Sequence, residues 1–201
     1  MNQVPRKPSA VRPKPTSNHE HIVQLFDAPR SLADAVSQYL IDGRALGHQL
    51  LVIARASHWK LIEGYLERRG FPVADPSERL TVVDARKLRG RMTRRGVLDP
   101  ARVHETLGDM VDQLAAEPGG LRAYGELVEL FAEEGNFEQA TALEDYWNHL
   151  LRKHHFTLLC GYSAAHFADP GHSQHLREIC GRHTCVRSQS ADSLGTWLTT
   201  R

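Results

Sequence analysis

Cysteine is scarce in this chain: three residues in 201. Three cysteines cannot staple a fold, and a domain of this length buries enough apolar surface to do without disulfides. Long hydrophobic runs are missing too. None approaches the roughly 20 residues of a membrane-spanning helix, and the basic N-terminus lacks the apolar stretch of a secretory leader. Charge of one sign is absent: the formal net charge is +1, so no global field draws the chain to nucleic acid or to an acidic partner. These absences lead to the expectation of a reduced, cytoplasmic protein with neither a membrane nor a nucleic-acid partner.

The parts needed for nucleotide chemistry are also lacking. A phosphate-binding loop requires Gly-x-x-x-x-Gly-Lys-[Ser/Thr], because bare backbone N–H groups must wrap the phosphates. After its first apolar run the chain reads FDAPRSLADA, with no glycine or lysine and with Pro29, which has no N–H. No Gly-x-Gly-x-x-Gly follows a strand, and no Gly-x-Ser-x-Gly elbow is present. Walker-type ATP hydrolysis is not expected, and no enzymatic activity or cofactor is. Ser31, at a helix start, keeps only the general anion preference of such termini.

What the chain does contain is alternation. Residues 1–20 hold four prolines and little that is large and apolar, the composition of a disordered, basic arm. A folded domain is expected over 21–188, with a flexible tail at 189–201. HIVQLFD, HQLLVIAR, RLTVVDA, LRAYG and FTLLCGY read as short strands, several apolar throughout and so buried on both faces. Between them lie helical patterns. Ser31 and Ser57 are the expected N-caps of the first two helices, and Gly43 and Gly70 their stops. Asp99-Pro100 opens a helix that runs to about Glu117. Another helix spans roughly His172 to Cys180, before a weak strand near Thr184 to Ser188. Alternating strands and helices predict a three-layer α/β/α sandwich around a mostly parallel sheet.

In such a sheet, ligands bind beyond the carboxyl ends of the strands. That rim carries Asp27, Arg55, the triplet Tyr124-Gly125-Glu126, and Cys160 with Tyr162. Glu144, Trp147 and Asn148 share one side of a helix. They line a ligand, or they form a polar network pinning the helix to the Tyr124 turn; the residues alone leave both open. Cys160 lies in an apolar run and is expected to be an inert, buried thiol. The tail GHSQHLREICGRHTC offers His172, His175, Cys180, His183 and Cys185, donors that zinc accepts. Their spacing follows no finger or ribbon pattern, so no metal is expected. The basic run from Arg86 to Gly96 reads as a solvated loop. Its Arg86, Arg89, Arg91, Arg94 and Arg95 would attract an acidic protein face, and no aromatics are interleaved to stack bases.

Five segments in order carry a family resemblance: His-x-Val-Gln-x-Phe from His21, Tyr-Gly-Glu-Leu-Val-x-Leu from Tyr124, Glu-Gly-Asn from Glu134, Leu-Glu-x-x-Trp-Asn from Leu143 and Leu-Leu-Cys-Gly-Tyr from Leu158. With Ile179-Cys180-x-x-His183 they resemble the MEDS domain, the methanogen/methylotroph DcmR-type sensory family, over roughly His21 to Val186. The resemblance implies a bacterial signal-transduction module for small hydrocarbon derivatives, with a RecA/KaiC-like core that lacks the phosphate loop. It marks Tyr124, Gly125, Glu126, Glu144, Trp147, Asn148, Cys160 and Tyr162 as ligand-site candidates. Family members occur fused to histidine kinases, DNA-binding domains and PAS modules, and as standalone proteins. With no output domain in view, this chain is expected to act through a partner such as a histidine kinase or regulator.

Overall fold

The computed structural model describes residues 20–75 and 77–188. The expected arm, but for Glu20, and the tail at 189–201 lie outside the described residues. Six strands form one sheet: β1 (Glu20–Phe26), β2 (Gln49–Ala54), β3 (Leu80–Asp84), β6 (Leu121–Gly125), β7 (Thr157–Ser163) and β8 (Cys185–Ser188). Their spatial order is β3-β2-β6-β7-β1-β8, and every pairing is parallel. The central strands are apolar on both sides because both faces are covered.

Helices α1 (Pro29–Ala45) and α2 (Ala56–Arg68) cover one face, where Leu32, Val36, Tyr39 and Ile62 pack on Ile22, Val52 and Tyr124. The other face carries α3 (Ala85–Met92), α4 (Pro100–Val103), α5 (Asp109–Ala115), α6 (Leu127–Ala132), α7 (Phe137–His154) and α8 (Ser173–Gly181). There Leu88, Leu107, Leu143, Trp147 and Ile179 pack on Val23, Ile53, Cys160 and Tyr162. Strand neighbours such as Ile22 and Val23 thus feed opposite cores, as the period of two requires. The result is the three-layer α/β/α sandwich that the alternation predicts.

Several local expectations are corrected. Helix α1 begins at Pro29, whose fixed φ suits a first turn, and the Ser31 hydroxyl donates back to the Ala28 carbonyl at 2.7 Å instead of capping. Gly43 is not a stop. It is buried inside α1 because a Cβ there would meet Arg122 Cδ at 2.6 Å and Leu50 Cδ2 at 2.8 Å; the chain turns at Gly47, with φ +77°. Helix α2 begins at Ala56 after Arg55, so Ser57 lies within its first turn.

The segment Arg86–Gly96 is not a loop. It forms most of α3 and then a hairpin of β4 (Thr93–Arg94) and β5 (Val97–Leu98). Ala85, Leu88 and Met92 supply a buried helical stripe beneath the arginines, and Asp84 caps the helix by accepting from Lys87 N at 2.8 Å. Arg95 and Gly96 both have positive φ, 53° and 82°, as the tightest hairpin turns demand. Asp99 caps the next helix as expected, but a π turn at His104–Gly108 separates α4 from α5, which ends at Ala115.

Candidate functional site

The rim of the sheet is built around Glu126, which follows β6 and is fully buried. Tyr124 donates its hydroxyl to Glu126 Oε1 at 2.8 Å. Arg55, just past β2, gives its backbone N–H and its Nε to Oε2 at 3.3 and 3.1 Å, and His58 Nδ1 lies 3.1 Å from the same oxygen. One turn into α6, Glu129 accepts from Ser163 N at 2.9 Å and meets His166 Nε2 at 3.0 Å. The Arg55 guanidinium also reaches Glu129 at 3.7 Å and Glu133 at 3.3 Å. Burial and the Glu126 charge push the Tyr124 hydroxyl well above its ordinary range, so it stays a donor. Ion-paired side chains therefore occupy this part of the rim, although one Arg55 guanidinium nitrogen and His58 Nδ1 are buried without a hydrogen-bond partner among the described residues. Asp27, beyond β1, is exposed.

A second cluster lies on the opposite face, where α7 and the end of α8 press on β1 and β7. Glu144, on α7, is fully buried. Tyr162 donates to its Oε1 at 2.8 Å. Its Oε2 stands 3.1 Å from His21 Nε2 and 3.6 Å from Cys160 Sγ, and His21 Nε2 is 3.4 Å from that sulfur. His183 closes the group, with Nε2 at 3.5 Å from Glu144 Oε1. The donor atoms of His21, Glu144, Cys160 and His183 all fall within 4.8 Å of one another, so these four could hold a metal ion.

Outer contacts fix both imidazoles. His21 Nδ1 faces Asn148 Oδ1 at 3.0 Å and the Arg182 carbonyl at 3.2 Å, while Asn148 Nδ2 donates to that carbonyl at 3.0 Å. His183 Nδ1 faces the Ile179 carbonyl at 2.7 Å. Burial works to raise the Glu144 carboxyl, yet His183, His21 and Tyr162 hold it below the usual carboxylate range. Burial and the Glu144 charge push the Cys160 thiol well up, and burial pushes the His183 imidazole down.

The two groups of sequence candidates are thus not one site. Tyr124 packs on the α1/α2 side and reaches Glu126 and Arg55 at the rim, whereas Cys160 and Tyr162 pack on the α7 side, where they meet Glu144. Trp147 is buried; the position of a Cβ on Gly125 would be 3.8 Å from its Cζ2. Nothing in the local sequence ties His21 or His183 to this cluster. The only available signals were a histidine inside an apolar strand and the histidine of Ile-Cys-x-x-His. His172 and His175 instead pack on Phe137, with ring centroids 4.9 and 4.5 Å away. Cys180 and Cys185 are half-buried thiols outside the cluster. In the basic segment, Arg89 pairs with Glu134, Arg94 lies 3.6 Å from Asp99 and Arg86 lies 4.0 Å from Glu133.

Beside the second cluster a surface cleft of about 350 Å³ is lined by His21, Asn148, Leu151, Arg152, His155 and Thr184. Among the described residues no helix is long and apolar enough to cross a membrane. The model of the family described as MEDS, the MEthanogen/methylotroph, DcmR Sensory domain, matches residues 20–184. No curated protein and no solved structure matches the chain.

Proposed function

The chain belongs to the MEDS family of sensory domains, and on that premise we propose a non-catalytic cytoplasmic sensor that binds a small organic molecule and signals through a separate protein. The observation that carries this reading is the cleft whose floor is His21 and Asn148. Its volume suits a small ligand. Its floor residues reach directly into the buried Glu144 cluster. A ligand there would meet two polar groups at the base and the Leu151 side chain on the wall. This moves the expected ligand from the carboxyl rim to the amino ends of β1, β7 and β8, under the C-terminal half of α7.

The same floor holds the chain that leads into edge strand β8. Thr184 and His21 exchange three hydrogen bonds, at 2.7, 2.9 and 3.0 Å, and Arg182 offers its carbonyl to His21 and Asn148. A ligand that fits one arrangement of residues 182–184 better than another biases β8 and α8, which a differential affinity alone can do. The test is thermal unfolding of the full chain with small alcohols, aldehydes, amines and halocarbons. A ligand at about 100 times its Kd adds roughly 2.7 kcal/mol. That shift should vanish in Leu151→Trp, which fills the cleft. A shift that persists in this variant, or silence across the whole panel, defeats the reading.

The packed rim around Glu126 favours a second reading, an interaction module without a small ligand. In it Arg86, Arg89, Arg91, Arg94 and Arg95 on α3 and its hairpin dock on an acidic face of a histidine kinase or regulator.

A further inference from the structure

We infer that His21, Glu144, Cys160 and His183 form a binding site for one divalent transition-metal ion, zinc the first candidate. Donor accounting leads there. His21 Nδ1 faces two acceptors, the Asn148 Oδ1 and the Arg182 carbonyl, so it carries a ring hydrogen, and the neutral ring that binds a metal then presents its lone pair at Nε2. That lone pair points at the carboxylate oxygen Oε2 of Glu144, 3.1 Å away. His183 repeats the pattern. Its Nδ1 faces the Ile179 carbonyl, and its fully buried Nε2 has no hydrogen-bond partner among the described residues. Two imidazole lone pairs, a carboxylate and a sulfur therefore converge in a buried space. The Tyr162 hydroxyl and the Cys160 thiol are the donors that face Glu144 there. A cation supplies what this arrangement lacks.

The distances agree with one. Zinc bonds of about 2.0–2.2 Å to nitrogen and oxygen and about 2.3 Å to sulfur give tetrahedral edges of about 3.3–3.6 Å. The edges between His21 Nε2, Glu144 Oε2 and Cys160 Sγ are 3.1, 3.4 and 3.6 Å. His183 Nε2 lies 3.5 Å from Glu144 Oε1 and within 4.8 Å of the other donor atoms, near enough to close the set as a fourth ligand once the ring shifts inward. Two nitrogens, one sulfur and one oxygen suit a borderline-soft divalent ion. The outer bonds from Asn148 and the two carbonyls orient the imidazoles in the manner metal sites require. Ion binding would carry off the thiol proton and leave Cys160 as thiolate. The inference shares His21 with the floor of the cleft but does not depend on the ligand proposed there, because its readout needs no organic molecule.

The full chain, reduced and stripped with a chelator, is titrated with cobalt(II) and then with zinc. The expected result is one cobalt per chain, with visible ligand-field bands of a tetrahedral site and a near-ultraviolet thiolate-to-cobalt band, both displaced by zinc. Cys160→Ser loses the thiolate band, and His183→Ala binds more weakly. Asn148→Ala, which frees the His21 ring, weakens binding about 10- to 100-fold. Cys180→Ser and Cys185→Ser leave the spectrum unchanged. Because a cluster variant can fail to fold, the wild-type spectrum and stoichiometry decide by themselves. Less than stoichiometric cobalt, no thiolate band, or a band lost with Cys180 or Cys185 instead of Cys160 overturns the site.

Discussion

Tyr124 on β6 and Tyr162 on the neighbouring strand β7 send their side chains to opposite faces of the sheet, and each donates its hydroxyl to a fully buried glutamate at 2.8 Å, Tyr124 to Glu126 and Tyr162 to Glu144. Tyr124 is level with Leu159, on its own face. Tyr162 is three residues further on, and an odd offset reverses the side. The domain thus keeps two charged clusters, one at the carboxyl rim of the sheet and one on its α7 face, each with a phenol fixed by burial as donor.

Removing either hydroxyl leaves a buried carboxylate one donor short. Tyr124→Phe and Tyr162→Phe should each cost about 1–3 kcal/mol in urea unfolding. The two should differ elsewhere. Tyr162→Phe alters cobalt binding at the Glu144 cluster, whereas Tyr124→Phe leaves it as in the wild type. Two variants as stable as the parent would mean that neither hydroxyl is engaged.

Two helical glycines should respond in opposite directions to alanine. Gly43→Ala drives a methyl against Arg122 and Leu50 side chains at 2.6 and 2.8 Å and destabilises the domain. Gly90 lies within α3 with nothing inside 4 Å of its added Cβ. Gly90→Ala should stabilise by roughly 0.5–1 kcal/mol, the usual gain of alanine in a helix interior. Denaturant midpoints of the two variants check both signs.

The strands were legible because HQLLVIAR and FTLLCGY are apolar without alternation, a pattern that only a doubly covered strand explains. Helix α3 was not, since six basic residues conceal the short stripe of Ala85, Leu88 and Met92. The rim position of Tyr124 and Glu126 followed from the strand ends. That Glu144 and Cys160 lie behind the sheet from them did not, because periodicity assigns faces only after register is known. The partnership of His21 with His183 was out of reach for a simpler reason. The two are brought together by β1, α7 and the end of α8, and no local spacing reports contact between the chain's ends. Of the tail donors His172, His175, Cys180, His183 and Cys185, only His183 faces the cluster.

The basic surface separates structural from exposed arginines. Arg89 stacks over the Phe131 ring, 4.5 Å from its centroid, and pairs with Glu134, so Arg89→Ala should lower stability by about 0.5–1 kcal/mol. Arg91 and Arg95 are exposed. The double variant Arg91→Glu with Arg95→Glu should stay within about 0.5 kcal/mol of the parent. If the interaction reading holds, it loses affinity for an acidic partner in a pull-down with the cognate kinase or regulator. Undiminished binding removes this surface from consideration.

His166 provides a pH signature. Its hydrogen bond to Glu129 at 3.0 Å raises its pKa above the ordinary 6.5, against the opposing effect of burial; Glu133 adds to the rise and Arg55 subtracts from it. The unfolded chain holds this proton at the ordinary value of about 6.5. Folding therefore strengthens proton binding, and the protonated ring stabilises the fold. The contribution is complete below the unfolded pKa and is lost as pH rises through the folded one. Urea unfolding of the wild type and His166→Gln, compared from about pH 5.5 to about pH 8.5, should show the largest stability difference at the acid end. The difference should begin to shrink above about 6.5. The Glu144 cluster is common to both proteins and cancels in the comparison. A difference that is flat, or that grows with pH, would show that Glu129 does not hold the imidazolium.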